Sequence, residues 1–277
     1  MIINPFVFGG GGTPVYPSGA KQLFSLHELN GYTGLLFRAF RLLDLSTNDF
    51  YIGASDGVWN TVRGGGGTDL ATWGAGTNVR ITKWYDQSGN ANEVGQGTYA
   101  RMPEIMDSGT VHLVNGQPAL KLVGTDTFMD IATPYSAAEN FTAFMVGNRS
   151  ATNKSLFGWS ATSYGAYSPL HYSNGKIYSN SRSGDLQSTS TDSTISQSVY
   201  TSVMAGASRN LRINAADVAA GFTPSSDSAD FEYILGILTG AAEYSDGYVQ
   251  EMGMWLSDET DNISDIENTA NNYFGIW

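Results

Sequence analysis

The sequence predicts an all-β fold, an antiparallel β-sandwich closed by one short C-terminal helix. Three observations lead there. Short alternating or continuous apolar stretches recur along the 277 residues, and turn-forming residues separate them. Glycine fills 33 positions while only 14% of residues are charged, a profile of many strands and tight turns. Helical spacing is confined to the C-terminal end, at Ile263, Ile266, Ala270 and Tyr273. An apolar fraction of 41% supplies enough material for one large core and argues against disorder.

The chain carries 14 Lys and Arg against 26 Asp and Glu, a net charge of −12. Nucleic acid is bound by cationic side chains that release counterions, so no nucleic-acid partner is expected. An anionic membrane surface is disfavoured for the same reason. The absence of cysteine excludes disulfides, thiol catalysis and thiolate metal sites. No apolar run approaches the ~18 residues of a membrane-spanning helix. The opening MIINPFVFGGGG lacks the basic region and long apolar core of a signal peptide. These features predict synthesis in a cytoplasm, with exit by lysis or by assembly into a larger particle.

Along the chain, Met1 to Gly19 reads as an arm and residues 20–277 as one domain. In the arm, Phe6, Val7 and Phe8 form a short apolar strand before Gly9–Gly12 and Pro14. It either remains loosely ordered or adds a strand to a neighbouring protein. The glycine run lacks the G-K-[ST] of a phosphate loop. Leu23–Leu45 holds two apolar runs about Gly31-Tyr32-Thr33-Gly34, and Lys21–Leu29 also reads as a short helix. Asp49–Gly57 is a strand and turn, and Gly64–Gly67 a flexible loop. Val79–Trp84 alternates as a strand, then breaks into the turn formers Asp86-Gln87-Ser88-Gly89-Asn90. Pro103–Met106, Val111–Val114 and Ala119–Val123 are short strands, and Asn115-Gly116 predicts a type I′ hairpin. After Asp130–Ala132, the continuous apolar run Phe141–Asn148 reads as a strand buried in a sandwich. Ser155–Trp159, Ala166–Tyr172, Lys176–Ser179 and Tyr200–Ser208 follow at hairpin spacing, with a tight turn at Asn174-Gly175 and an exposed loop over Gly184–Ser198. Leu211–Ile213, Tyr233–Leu238 and Tyr248–Leu256 complete the sheets. Ser257 is the expected N-cap of the final helix, and Asp258, Glu259 and Asp261 suit its positive end.

Trp84-Tyr85-Asp86-Gln87-Ser88-Gly89-Asn90, followed by Asn92 and then by Asn115 to Gly124 (NGQPALKLVG), resembles a known family. It is similar to the catalytic domain of the fungal-type α-L-arabinofuranosidases of glycoside hydrolase family 54, from about Ala20 to the C-terminus. The resemblance implies a concanavalin A-like (lectin, laminin-G-type) jelly-roll sandwich. The same turn also resembles sandwich domains of phage tail and virion proteins. Residue by residue, the family's catalytic groups are missing. Ser173 stands where the family has its nucleophilic Glu. Leu238-Thr239-Gly240 follows Ile234-Leu235-Gly236-Ile237, where the family has its acid/base Asp. The family's adjacent cysteine pair is absent. The resemblance therefore implies a retained fold with lost catalysis, and no catalytic residue is assigned.

Trp159, Tyr164, Tyr167 and Tyr172 form an aromatic group able to stack on sugar rings, or else belong to the core. Asp86, Asn90 and Asn92 either contact sugar or calcium, or cap their own turn and fasten it to a neighbouring strand. Glu243, Asp246 and Asp185 are alternative carboxylates for a hydrolase, with solvated loop acids as the plainer reading. His27, His112 and His171 are too scattered for a histidine metal site, and no G-x-S-x-G elbow anchors a triad. A calcium site stays open, since lectin-like sandwiches use loop oxygens; no other cofactor is expected. The expected function is a non-enzymatic, lectin-like structural protein of a phage particle, on its tail or capsid surface, binding host-surface glycan. An arabinofuranosidase-like hydrolase and a ligand-free capsid decoration protein are the alternatives. Expected partners are other virion proteins through Phe6, Val7 and Phe8, host glycan, and further copies of the chain in a homo-oligomer.

Overall fold

The computed structural model describes residues 13–52, 59–63, 66–123, 126–136, 140–151, 156–160, 168–173, 176–181, 184–187, 196–206, 208–220, 230–236 and 244–277. The principal strands are β1 (Gln22–Ser25), β2 (Phe37–Arg41), β3 (Thr47–Ile52), β4 (Val79–Trp84), β5 (Val94–Gly95) and β6 (Glu104–Asp107). They continue with β7 (Leu120–Val123), β8 (Met129–Ser136), β9 (Phe141–Arg149), β10 (Trp159–Ser160), β11 (Ser168–Ser173) and β12 (Lys176–Ser181). The last are β13 (Gly184–Gln187), β14 (Ser198–Ala205), β15 (Ser208–Ile213), β16 (Ala216–Ala220), β17 (Asp230–Ile234) and β18 (Asp246–Trp255), before helix α1 (Ile263–Phe274).

All pairings are antiparallel, and they build two layers. The first runs β16-β15-β14-β9-β18; β7 and β1 then lie end to end along the two halves of β18. The second runs β3-β2-β4-β5-β8-β17-β10, and the small β11-β12-β13 sheet adjoins it. Strand β6 joins the layers, pairing with β4 on one side and with Lys121 of β7 on the other. Between the layers lies the main core, including Phe37, Phe50, Ile81, Trp84, Met129, Met145, Trp159, Met252 and Met254. The protein is an all-β sandwich with one C-terminal helix of appreciable length, as the sequence predicts.

Strand β9 explains its own continuous apolar run. Phe141, Ala143 and Met145 face the main core, while Phe144 and Val146 face a second cluster outside the first layer. There α1 packs Ile266, Ala270 and Phe274 against Leu23, Val199 and Trp255. Complete burial of each large apolar side chain stabilises by about 1.5–3 kcal/mol, so this stripe seats the helix. The Asn115-Gly116 hairpin has both residues at positive φ, 49° and 76°, as a type I′ turn requires. Asn115 also donates to Gln197, which donates to Gln250 of β18, buttoning the hairpin to the first layer.

Several expectations are corrected. Lys21–Leu29 is no helix: Gln22–Ser25 pairs with Glu251–Met254 of β18 and is wholly buried. Part of the expected arm packs on the sandwich. Tyr16 is buried and donates its hydroxyl to Glu251, and Trp255 Nε1 donates to the Pro17 carbonyl at 3.2 Å. Burial in that apolar cluster, and then Glu251, raise the Tyr16 pKa. Part of the expected loop Gly184–Ser198 is strand β13. The helix starts at Ile263 after a single 3₁₀ turn, and Ser257 instead donates to the Glu259 carboxylate at 2.6 Å. Phe6–Phe8, Gly9–Gly12 and Asn174-Gly175 lie outside the described residues.

Candidate functional site

The turn Tyr85–Asn92 is a clasp. Asp86 Oδ1 accepts the backbone N–H groups of Leu23 and Ser88, both at 2.9 Å. Its Oδ2 accepts the Ser88 hydroxyl at 2.8 Å and the Asn92 N–H at 3.0 Å. A carboxylate offers about four lone-pair sites, so these four bonds leave none for a sugar or a cation. Gln87 accepts from Leu29 N–H at 2.9 Å and donates to the Ser25 and His27 carbonyls at 3.0 and 2.9 Å. The amides of Asn90 and Asn92 donate to the carbonyls of Ala20 and Lys21 at 2.7 and 3.0 Å. Asp86 and Asn92 are buried, so of the two readings the fastening one describes their contacts.

Trp159 is a correction to the aromatic platform. It is fully buried, and its Nε1 donates to Gln22 Oε1 at 2.9 Å. Tyr164, Tyr167 and Glu243 lie outside the described residues, as does the stretch 237–243 that follows Ile234-Leu235-Gly236. Tyr172, His171 and Ser173 lie on β11 and Asp185 on β13, with only their backbone described. Asp246 is half-buried and accepts the Ser150 hydroxyl. His27 is buried 2.7 Å from Glu251 and stacked on Tyr273, with ring centres 3.8 Å apart. His112 Nε2 lies 3.0 Å from Glu104. Burial alone would raise the Glu104 pKa, but hydrogen bonds from His112 and Asn78 prevail and lower it. Among the described residues, no three His, Asp or Glu side chains gather as a metal site.

What the structure does bring together is a row across the outward face of the second layer. Cross-strand register places Asp49 beside Arg38, Arg38 beside Lys83, Lys83 beside Gly95, Gly95 beside Asp130, and Asp130 beside Tyr233. Their chain neighbours Phe37, Phe50, Trp84, Val94, Met129, Ile131 and Ile234 are buried in the core, so the row faces outward. Six strands at ~4.8 Å spacing make it about 24 Å long.

The row is rigid at one end and open at the other. Arg38 donates to both Asp49 oxygens, at 2.9 and 2.7 Å, and the Tyr85 hydroxyl adds a third bond at 2.8 Å. Burial works to raise the Asp49 pKa, yet these hydrogen bonds outweigh it and lower it. Lys83 Nζ pairs with Glu93 at 3.1 Å and lies over the Tyr85 ring. Gly95 then leaves a gap. A Cβ there would meet nothing closer than the Thr82 carbonyl oxygen at 3.5 Å, so packing does not require glycine. Beyond the gap Asp130 is exposed, with no hydrogen bond or ion pair among the described residues. Its flanking strands still shield the carboxyl enough that burial raises its pKa, opposed by Arg101. Tyr233 is held edge-on against Phe128 at 5.3 Å. Sequence reading missed this row because it takes one residue from each of six strands. Its only local trace is the alternation that turns Lys83 away from Trp84.

No family model and no curated protein matches the sequence. Solved structures do match in three dimensions. One is a mutant glycoside hydrolase family 54 α-L-arabinofuranosidase soaked with 4-nitrophenyl α-L-arabinofuranoside, at TM-score 0.57 and 16% identity. Another is an arabinofuranosidase complexed with arabinofuranosyl-α-1,2-xylobiose, at TM-score 0.55 and 16% identity. Each alignment covers 91% of this chain and 62% of the other, so the chain spans under two thirds of those proteins' length. The likeness is one of fold: the chain is a β-sandwich of the kind found in these enzymes.

Proposed function

We propose that the protein is a non-catalytic, glycan-binding sandwich displayed on a phage particle, with the outward row of the second layer as its binding face. The observation that supports binding is the Asp130 carboxylate, unpaired among the described residues, between the Gly95 gap on one side and Tyr233 on the other. A sugar offers adjacent hydroxyl donors and an apolar ring face. Asp130 accepts the first, tyrosine stacks on the second, and glycine admits the ring close to the backbone. Binding of purified protein to a polysaccharide array tests this. Asp130→Ala should weaken binding by about tenfold at the wild-type melting temperature, and Tyr233→Ala by about as much with a fall of a few degrees from its lost packing on Phe128. Undiminished binding by both variants would remove this face from the proposal.

The particle setting rests on the resemblance of the Asp86–Asn90 turn to virion domains. In this reading Phe6, Val7 and Phe8 dock on a neighbouring virion protein. Truncation of residues 1–12, ahead of the buried Tyr16, should abolish incorporation into particles and leave glycan affinity unchanged. Truncated chains that assemble normally would rule out that role.

A second reading, hydrolysis, has one observation in its favour. Glu93 lies two residues before Gly95 on β5's approach, diagonal to Asp130. Diagonal cross-strand positions sit about 7–8 Å apart on one face, so both carboxylates leave the same surface, as a glycosidase pair must. Sugar released in the array wells, and lost in Asp130→Asn, would favour this reading over simple binding.

A further inference from the structure

We infer that the outward row selects uncharged glycans and excludes acidic ones, with Asp130 as the excluding group; this rests on the binding reading above. Recognition of a sugar carboxylate, sulfate or phosphate needs an Arg or Lys with donors to spare. On this face every nearby cation among the described residues is engaged. Arg38 is held in two bonds by Asp49, Lys83 is 3.1 Å from Glu93, and Arg101 is 3.4 Å from Asp126 and lies over the Phe128 ring. Arg80, the next cation along β4, donates to the Tyr99 and Ala100 carbonyls at 2.8 and 3.1 Å and stacks over the Tyr99 ring. It also lies 3.6 Å from the buried Glu104. Turning any of these toward an anionic ligand strands a carboxylate or a backbone carbonyl. An acidic ligand in the Gly95 gap meets Asp130 instead, within a chain of net charge −12. A neutral sugar meets no such repulsion and uses the same carboxylate as a hydroxyl acceptor. Asp130 is thus a specificity-determining residue through its charge and a contact through its oxygens.

The experiment measures binding to two panels: neutral polysaccharides (dextran, arabinan, galactan, mannan) and acidic ones (hyaluronan, polygalacturonate, polysialic acid, dextran sulfate). Wild-type protein is expected to bind only within the neutral panel. Its affinity should change less than about twofold between low and high salt, since no ion pair with ligand is screened. Asp130→Lys should gain acidic ligands by about tenfold or more, in a salt-sensitive manner. Melting temperature monitors folding of this exposed variant. Salt-sensitive binding of acidic glycans by wild-type protein would overturn the inference and leave the binding function standing. Asp130→Lys that still rejects acidic ligands would overturn the role of Asp130. Binding to neither panel would overturn the function itself and the inference with it.

Discussion

Replacing Asp86 with alanine should destabilise the protein by about 3–5 kcal/mol, more than any substitution on the outward face. The carboxylate accepts four hydrogen bonds, and two of their donors are the buried backbone N–H groups of Leu23 and Asn92. Each stranded donor costs roughly 1–3 kcal/mol, and the β1 edge loses its attachment to the turn. At about 2–4 °C per kcal/mol for a chain of this size, the melting temperature should fall by roughly 6–20 °C. Asp86→Asn should lie between, since its amide still accepts at one oxygen but turns an N–H donor toward donors. Glycan affinity of the folded fraction should match wild type. A variant that melts normally but no longer binds sugar would reverse this assignment and make Asp86 a ligand contact.

The same residue shows what the sequence could reveal. The strand before it, Val79–Trp84, coincides with β4 because alternation is a local property, written within six residues. The clasp is half local: Asp86 to Ser88 is an ordinary turn bond, while Asp86 to Leu23 spans 63 residues. Burial of Tyr16 depends on Glu251, 235 residues away, so the first 19 residues read as an arm although Tyr16 belongs to the core. Trp159 shows a different failure. Its position in a strand was legible, but which side of the sheet it faces turns on a one-residue phase set by pairing with Ile234. The Arg38–Tyr233 row suffers this at every step, because each neighbour in it is chosen by register and none by sequence proximity. Fold class, which sums many local signals, was therefore readable, whereas the candidate site was not.

Arg212→Met should cost about 3–5 kcal/mol and loosen α1 from the sandwich. Glu267 is the reason. It sits on the first layer's side of the helix, fully buried, and receives Arg212 Nε at 2.9 Å and Nη2 at 3.1 Å. Arg212 also donates to Asp217 and to the Ala215 carbonyl, so one guanidinium links β15, β16 and the helix. Hydrogen bonding to Glu267 is the main cause that raises the Arg212 pKa. Methionine fills much of the same volume but leaves the Glu267 carboxylate buried without its cation. Urea unfolding midpoints of Arg212→Met, Glu267→Met and the double variant separate charge from packing. Desolvation offsets most of what a buried pair gains, so the double variant should recover most of the loss seen in Arg212→Met. Additive losses instead would mean that the two side chains act independently. A wild-type midpoint for Arg212→Met would mean that Ile266, Ala270 and Phe274 seat the helix unaided. Recovery in the double variant would mean that the pair adds little net stability beyond what apolar packing of similar volume supplies.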